Sequence, residues 1–370
     1  MSKKALIFYI SKYSGHFHAA NAIEKGLMEL DRNIEIEKIN ALRYTNPILG
    51  SIINKAYLEI IKKKPEIWEH IYDNPDVMNK TKKARKALHK FNMSKVKKLL
   101  ESRSPDVIFC TQAFPCGMVA DYKRSSGRKI PLIGVLTDHA PHSYWLYDEV
   151  DIYVAPSEET AGILEKKGIP PGKIRVFGIP VDPKFRREHD IRGIKKSLGF
   201  SERDPVILIM GGSQGLGAVE EVVRLLLRDL EHNYQLLVVS GANKKLYKKL
   251  FRLKRSKGGT KLSVMSYVEN IDELMEASDI IITKAGGMTM AEALVKKLPI
   301  MIVKPIPGHE RMNTDYLVER GAAVEIQDFD QIPGMINGLF DLEGVLEKMK
   351  KNVEILSKPD SALDIARLAF

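Results

Sequence analysis

The junction Lys284-Ala285-Gly286-Gly287 interrupts an apolar run and opens a helical pattern, and residues of these types can hold an anion. The run before it, Asp279–Thr283, is short and β-branched, as in a strand buried on both faces of a parallel sheet. Gly286 and Gly287 let the backbone approach a ligand closely and take φ > 0. A helix beginning at Met288 and Thr289 then offers unpaired amides and a partial positive charge, a setting for a phosphate or diphosphate. Glu292, about one turn further in, cannot favour phosphate, and a hydroxyl-rich group such as a ribose suits it better. A second apolar run, Pro299–Val303, ends in a polar loop that carries Gly308, His309 and Glu310. Open α/β sheets bind ligands outside the carboxyl ends of their strands.

Three other loops have the same setting. The run Pro205–Met210 leads into Gly211-Gly212-Ser213-Gln214-Gly215-Leu216-Gly217. Taken alone this is a weak signal. It has neither the acidic ribose binder of a dinucleotide fold nor the Gly-Lys-Ser/Thr of a P-loop. In the first half of the chain, Gly15-His16 follows the apolar run Lys3–Ile10, and Asp138 follows Pro131–Leu136. A histidine with an ordinary pKa near ~6.5 suits a general base at neutral pH. Asp138 could be the base instead, or could orient His16 and raise its basicity. His139 and His142 are three residues apart, but Pro141 between them argues against a helical metal pair, and no metal ligand set is expected.

The elements that must position these residues alternate strand and helix. Lys3–Ile10, a helix from Phe17 to Leu30 and the strand Ile34–Ile39 form a β–loop–α–β opening, which implies a doubly wound α/β domain. Strands follow at Asp106–Thr111, Pro131–Leu136, Asp151–Ala155 and Ile174–Phe177, with Ser157 a cap for the helix after it. Gly178-Ile179-Pro180-Val181-Asp182-Pro183 reads as a linker stiffened by prolines. A second series then begins: Pro205–Met210, Gln235–Ser240, Leu262–Met265, the two runs described first, and Ala323–Ile326. The expected layout is a domain at 1–180, a second at 181–345, and C-terminal helices at 346–370 that break near Pro359 and pack back toward the first domain. Two such domains, each with polar loops at its strand ends, suggest a cleft between them.

The chain has 370 residues, enough for two cores, and 44% hydrophobic and 28% charged residues are ordinary for a globular protein. No apolar stretch approaches the ~18–20 residues of a membrane span, and Ala5–Ile10 is too short for a signal segment. The two cysteines, Cys110 and Cys116, fit a reducing cytoplasm. Net charge is +11 and uneven: Lys55–Arg103 holds 14 Lys/Arg against six Asp/Glu. Within it, Lys62, Lys63, Lys64, Lys82 and Lys83 flank Trp68, and Trp and Tyr beside lysine clusters resemble an interfacial membrane surface. A solvated basic face is the plain alternative. Charge alone would permit nucleic acid, but no aromatic platform or recognition helix is evident, so no nucleic-acid partner is expected.

Several blocks carry a family resemblance: Tyr267–Leu274, Ile282–Ala293, Lys304–Asn313 and Arg320–Ala323, with weaker ones at Gly15-His16, Thr137-Asp138, Phe177–Pro180 and Gly211–Gly217. Over nearly its full length the chain resembles the GT-B glycosyltransferases that make glycosyl diacylglycerols, the bacterial processive diacylglycerol glucosyltransferases and plant monogalactosyldiacylglycerol synthases. It is more distantly similar to the N-acetylglucosaminyltransferase that completes the peptidoglycan lipid precursor. The resemblance implies a UDP-sugar donor in the C-terminal domain. The backbone at Val268 would pair with uracil, and Glu292 would accept from the ribose. Gly286, Gly287, Met288 and Thr289 would meet the diphosphate, with Ser213 and Gln214 closing from the other side. His309, Glu310 and Asn313 would face the sugar; the family often has Gln where this chain has His309. The acceptor would be diacylglycerol at an anionic membrane surface on the cytoplasmic face. Lys284, helix amides and dipole can stabilise a departing UDP. No Asp-x-Asp triplet stands where it would hold a divalent ion beside the diphosphate, so neither metal nor cofactor is expected. Alternatives are the N-acetylglucosaminyl transfer just named, or a non-enzymatic nucleotide-sugar or nucleic-acid-binding protein.

Overall fold

A computed structural model describes residues 2–12, 14–45, 92–229, 234–256, 262–305 and 308–370. The membrane-facing residues expected at Trp68, Lys62, Lys63, Lys64, Lys82 and Lys83 lie outside them. The chain forms two units. One comprises Met1–Pro183, Pro307–His309 and Asp360–Phe370, the other Lys184–Ile306 and Glu310–Pro359. The chain thus passes from the first unit to the second after Pro183, and the helical tail beyond 345 divides at Pro359.

Each unit is built on a parallel sheet of six strands. The first contains β1 (Lys4–Tyr9), β2 (Glu35–Asn40), β3 (Val107–Cys110), β4 (Leu132–Val135), β5 (Ile152–Ala155) and β6 (Ile174–Val176), in the order β2-β1-β3-β4-β5-β6. The second contains β7 (Val206–Met210), β8 (Gln235–Val239), β9 (Leu262–Met265), β10 (Ile280–Thr283), β11 (Ile300–Val303) and β12 (Ala323–Ile326), in the order β12-β11-β10-β7-β8-β9. Strands such as VIFC, VILIM and IIIT are buried at every position because helices cover both faces of the sheet. A strand buried on both faces keeps an unbroken apolar run, which is why these runs are visible in the sequence.

All strands in a sheet point the same way, so every loop after a strand emerges on one edge. The strand order reverses between β1 and β3 in the first sheet, and between β7 and β10 in the second. At such a reversal the two loops part and leave a crevice. The first pair of loops contains His16 and Thr111. The second contains the turns 211–217 and 284–287.

The helix Ser361–Arg367 belongs to the first unit, although most of the chain separates it from β1. It lies on the helix Gly15–Leu30, where Gly26 permits the approach: a Cβ there would fall 2.6 Å from the Ala362 carbonyl oxygen. Ile365 and Ala366 join Ala20, Ile23 and Leu27 in one buried cluster. The Val181 amide donates to Ser361 Oγ at 3.0 Å, tying the end of the first unit's main segment to the returning helix.

Candidate functional site

In the second unit the two glycine turns converge on Lys284. Gly212, Gly215 and Gly217 have φ of 68°, 58° and 90°, values that L side chains rarely adopt. The turn is also too tight for side chains. A Cβ on Gly211 would lie 1.9 Å from the Leu216 carbonyl oxygen, and one on Gly215 would lie 2.0 Å from that of Ser240. Its carbonyls are tied down: Gly211 accepts from the Leu216 amide, Ser213 from the Ala242 amide and Gly215 from Asn243 Nδ2, at 2.9, 2.9 and 3.1 Å. Ser213 and Gln214 are carried half-exposed at the tip. Lys284 Cε lies 3.7 Å from the Cβ position of Gly212, and its Nζ lies 3.0 Å from that of Gly286. The ammonium therefore lies across the second turn and close to the first.

Behind Lys284 is Glu310, fully buried, whose carboxylate accepts from Nζ at 2.5 Å. Asn313 is also fully buried and donates from Nδ2 to the Ala285 carbonyl at 2.9 Å. The helix Gly287–Val295 starts from Gly286 without a side-chain cap, and its first helical bond runs from the Met290 amide to the Gly286 carbonyl. The amides of Gly287, Met288 and Thr289 thus belong to the unpaired first turn. Unpaired amides, the helix dipole and an ammonium at one glycine-lined edge make a strong setting for a diphosphate. Glu292 is half-buried one turn along this helix. Gly308 has φ of 90°, and His309 begins the helix His309–Glu319, half-exposed.

Val268 lies after β9 on the same edge, in a turn fixed from behind. Lys184 Nζ donates to the Glu269 carbonyl and pairs with the buried Asp272 carboxylate at 2.8 Å, while His189 Nε2 lies 3.2 Å from the other Asp272 oxygen. The Lys184 ammonium, set against the cost of burial, leaves the Asp272 carboxyl with a lowered pKa. The chain does contain an Asp-x-Asp spacing, Asp328-Phe329-Asp330. There Asp328 accepts from the Asp330 amide at 3.2 Å and caps a short 3₁₀ turn after β12.

In the first unit, His16 sits in the first turn of the helix Gly15–Leu30. Ser14 caps that helix, accepting from the Phe17 amide, and gives its own proton to the Ile10 or Ser11 carbonyl, each at 2.7 Å. Ser11 holds φ of 57°, a left-handed conformation at the end of β1. Thr111, buried after β3, donates from Oγ1 to the His16 carbonyl at 2.9 Å. Thr137, after β4, places its hydroxyl 3.2 Å from His16 Nδ1 and 3.4 Å from Asp138 Oδ2. Loss of solvent around the imidazole lowers the His16 pKa, opposed by the Asp138 carboxylate and by a hydrogen bond to the Thr111 backbone.

Thr137 bridges the two residues that sequence pattern singled out, and Thr111 holds the backbone of one. Neither threonine carries a sequence signal for these roles beyond standing at a strand's carboxyl end. Lys184 likewise could not be paired with the turn at Val268 from sequence spacing. His139 Nδ1 lies 3.3 Å from Ser157 Oγ, and His142 packs against the Trp145 ring. Among the described residues, no cluster of three or more His, Cys, Asp or Glu could hold a metal ion.

Residues 16–181 match the family model described as monogalactosyldiacylglycerol (MGDG) synthase, and residues 206–362 match the glycosyltransferase family 28 C-terminal domain. The processive diacylglycerol beta-glucosyltransferase of Bacillus subtilis (strain 168) is 30% identical over 362 residues, covering 98% of this chain and 93% of that one. The protein of the same name from Bacillus pumilus (strain SAFR-032) is 31% identical over 368 residues, covering 98% and 94%. Among solved structures, MurG of Acinetobacter baumannii aligns with a TM-score of 0.64 at 14% identity, covering 99% of each chain. At that identity the likeness establishes the fold.

Proposed function

We propose that this chain, which belongs to the glycosyltransferase family of processive diacylglycerol β-glucosyltransferases and monogalactosyldiacylglycerol synthases, moves a hexose from a UDP-sugar to the free hydroxyl of diacylglycerol. The observation that carries the reading is the convergence of both glycine turns on Lys284 at the strand-order reversal of the second sheet. It lies in a chain whose 30%-identical relatives span its whole length.

In this reading the diphosphate sits against the amides of Gly287, Met288 and Thr289 and beside the Lys284 ammonium. Glu310 holds that ammonium in place. Glu292 accepts from the ribose hydroxyls, the backbone at Val268 meets the uracil, and His309 faces the sugar. Asn313 acts through the Ala285 carbonyl by fixing the turn. The acceptor oxygen attacks the anomeric carbon as the bond to the diphosphate oxygen breaks. Its proton passes to His16, and UDP leaves with the bonding electrons. Direct attack inverts the anomeric centre, so an α-linked donor yields a β-linked glycolipid. Charge develops on the departing diphosphate, where the turn amides and Lys284 stabilise it. We expect no divalent ion to be required. The enzyme would work at the surface of the membrane that holds its acceptor, on the cytoplasmic face.

One turnover assay tests this. Purified protein is given diacylglycerol and UDP-glucose, UDP-galactose or UDP-N-acetylglucosamine, each with EDTA. A β-hexosyl diacylglycerol formed from one of the first two is expected, and Glu292→Ala should raise the donor KM at least tenfold. Transfer only from UDP-N-acetylglucosamine, or none from any donor, would overturn the proposal; a requirement for added Mg²⁺ would overturn the metal-free step.

A further inference from the structure

The helix Lys244–Ser256, between β8 and β9, is amphipathic in an unusual way. Leu246 and Leu250 are buried and Leu253 packs beside them against the core of the second unit. A helical turn of 100° per residue puts Lys244, Lys248, Phe251 and Arg252 on the opposite side, and all four are exposed. Phe251 is 41% exposed and stacks on Tyr247, with ring centroids 5.8 Å apart. Lys245 and Lys249 lie on the flank, where Lys249 pairs with Glu220 at 2.7 Å. The whole helix, KKLYKKLFRLKRS, contains no acidic residue.

Phe251 stands exposed between Lys248 and Arg252, on a helix whose outward side carries no acidic residue. A basic face with an aromatic ring along one edge fits a bilayer interface, where cations meet headgroup phosphates and the ring enters the headgroup–acyl boundary. We infer that the outward face of this helix docks the second unit on an anionic bilayer. The inference rests on the reading that the acceptor is a membrane lipid, which favours a bilayer over nucleic acid as the occupant. The helix follows the loop 241–243, whose Ala242 amide and Asn243 side chain hold the glycine turn 211–217. Docking would therefore place a membrane contact next to the donor site itself. In sequence the helix lies outside the basic segment Lys55–Arg103.

The test is vesicle co-sedimentation at about 0.1 M salt, with phosphatidylcholine vesicles with and without 30% phosphatidylglycerol. The wild-type chain is compared with Lys244→Gln/Lys248→Gln/Arg252→Gln and, separately, with Phe251→Ser. Removing three exposed charges should weaken partition to the anionic vesicles by roughly 100-fold. Phe251→Ser should weaken it roughly tenfold while leaving its salt dependence in place. Both variants should keep wild-type turnover on a short-chain diacylglycerol in detergent micelles, which shows that they fold. If the wild type binds anionic vesicles and the triple variant binds as tightly, the inference is wrong while the membrane reading stands. If the wild type ignores anionic vesicles, the membrane reading itself fails. Equal capture of single-stranded RNA and vesicles by the wild type, lost together in the triple variant, would also overturn the inference.

Discussion

The Thr137 hydroxyl has one proton to give, and the Asp138 carboxylate is the stronger of its two acceptors. If it donates there, it must accept from His16 Nδ1–H, which leaves the Nε2 lone pair to take the acceptor's proton. In the proposed reaction that arrangement would give the tautomer a base requires, with Asp138 acting on the ring by charge. The sign of the pH dependence follows. The His16 pKa is lowered, so the neutral base persists below pH 6.5, and kcat should fall only as pH drops through that lowered value. Asp138 raises this pKa, so Asp138→Asn should move the acid limb of kcat further down the pH scale and reduce the plateau. His16→Ala should cost about 10²–10⁴-fold in kcat at an unchanged donor KM. An acid limb that stays put in Asp138→Asn, or kcat undiminished in His16→Ala, would assign the base elsewhere.

At the scale of elements, the glycine turn 211–217 shows how far backbone geometry would set the proposed donor site. Gly215 combines φ of 58° with an oxygen 2.0 Å from the position of a Cβ. Gly215→Ala should therefore destabilise the second unit by roughly 2–4 kcal/mol and raise the donor KM. Gly162→Ala, in the helix Glu158–Lys166 of the first unit with nothing within 4 Å of a new Cβ, should stabilise that helix by about 0.5–1 kcal/mol and leave the donor KM unchanged. Thermal unfolding and donor titration of the two variants compare them directly. The strands and these turns were legible in the sequence because a strand buried on both faces must be apolar throughout and must stop where the chain turns polar. Neighbour relations were not. Nothing along the chain states that β1 lies between β2 and β3, so Thr111 could not be brought to His16, and Thr137 only as the neighbour of Asp138. Buried polar partners were equally hidden: the bonds of Glu310 to Lys284 and of Asn313 to the Ala285 carbonyl have no signal in the sequence.

At the scale of the whole molecule, the chain leaves the first unit after Pro183 and returns to it at Asp360. The returning helix is part of the core, since Ile365 is fully buried with Ile23 and Leu27. Ile365→Ala should cost roughly 2–5 kcal/mol and lower the unfolding midpoint of the first unit, read from urea titration. A midpoint unchanged from wild type would mean that the helix is a dispensable appendage. The same topology governs how the protein is made. Residues 184–359, which hold all of the second unit and the three residues 307–309 of the first, leave the ribosome as one continuous stretch, and the second unit can fold as soon as they emerge. The first unit, although most of its residues are translated earlier, lacks part of its core until residues 360–370 are added, so it is completed after the second.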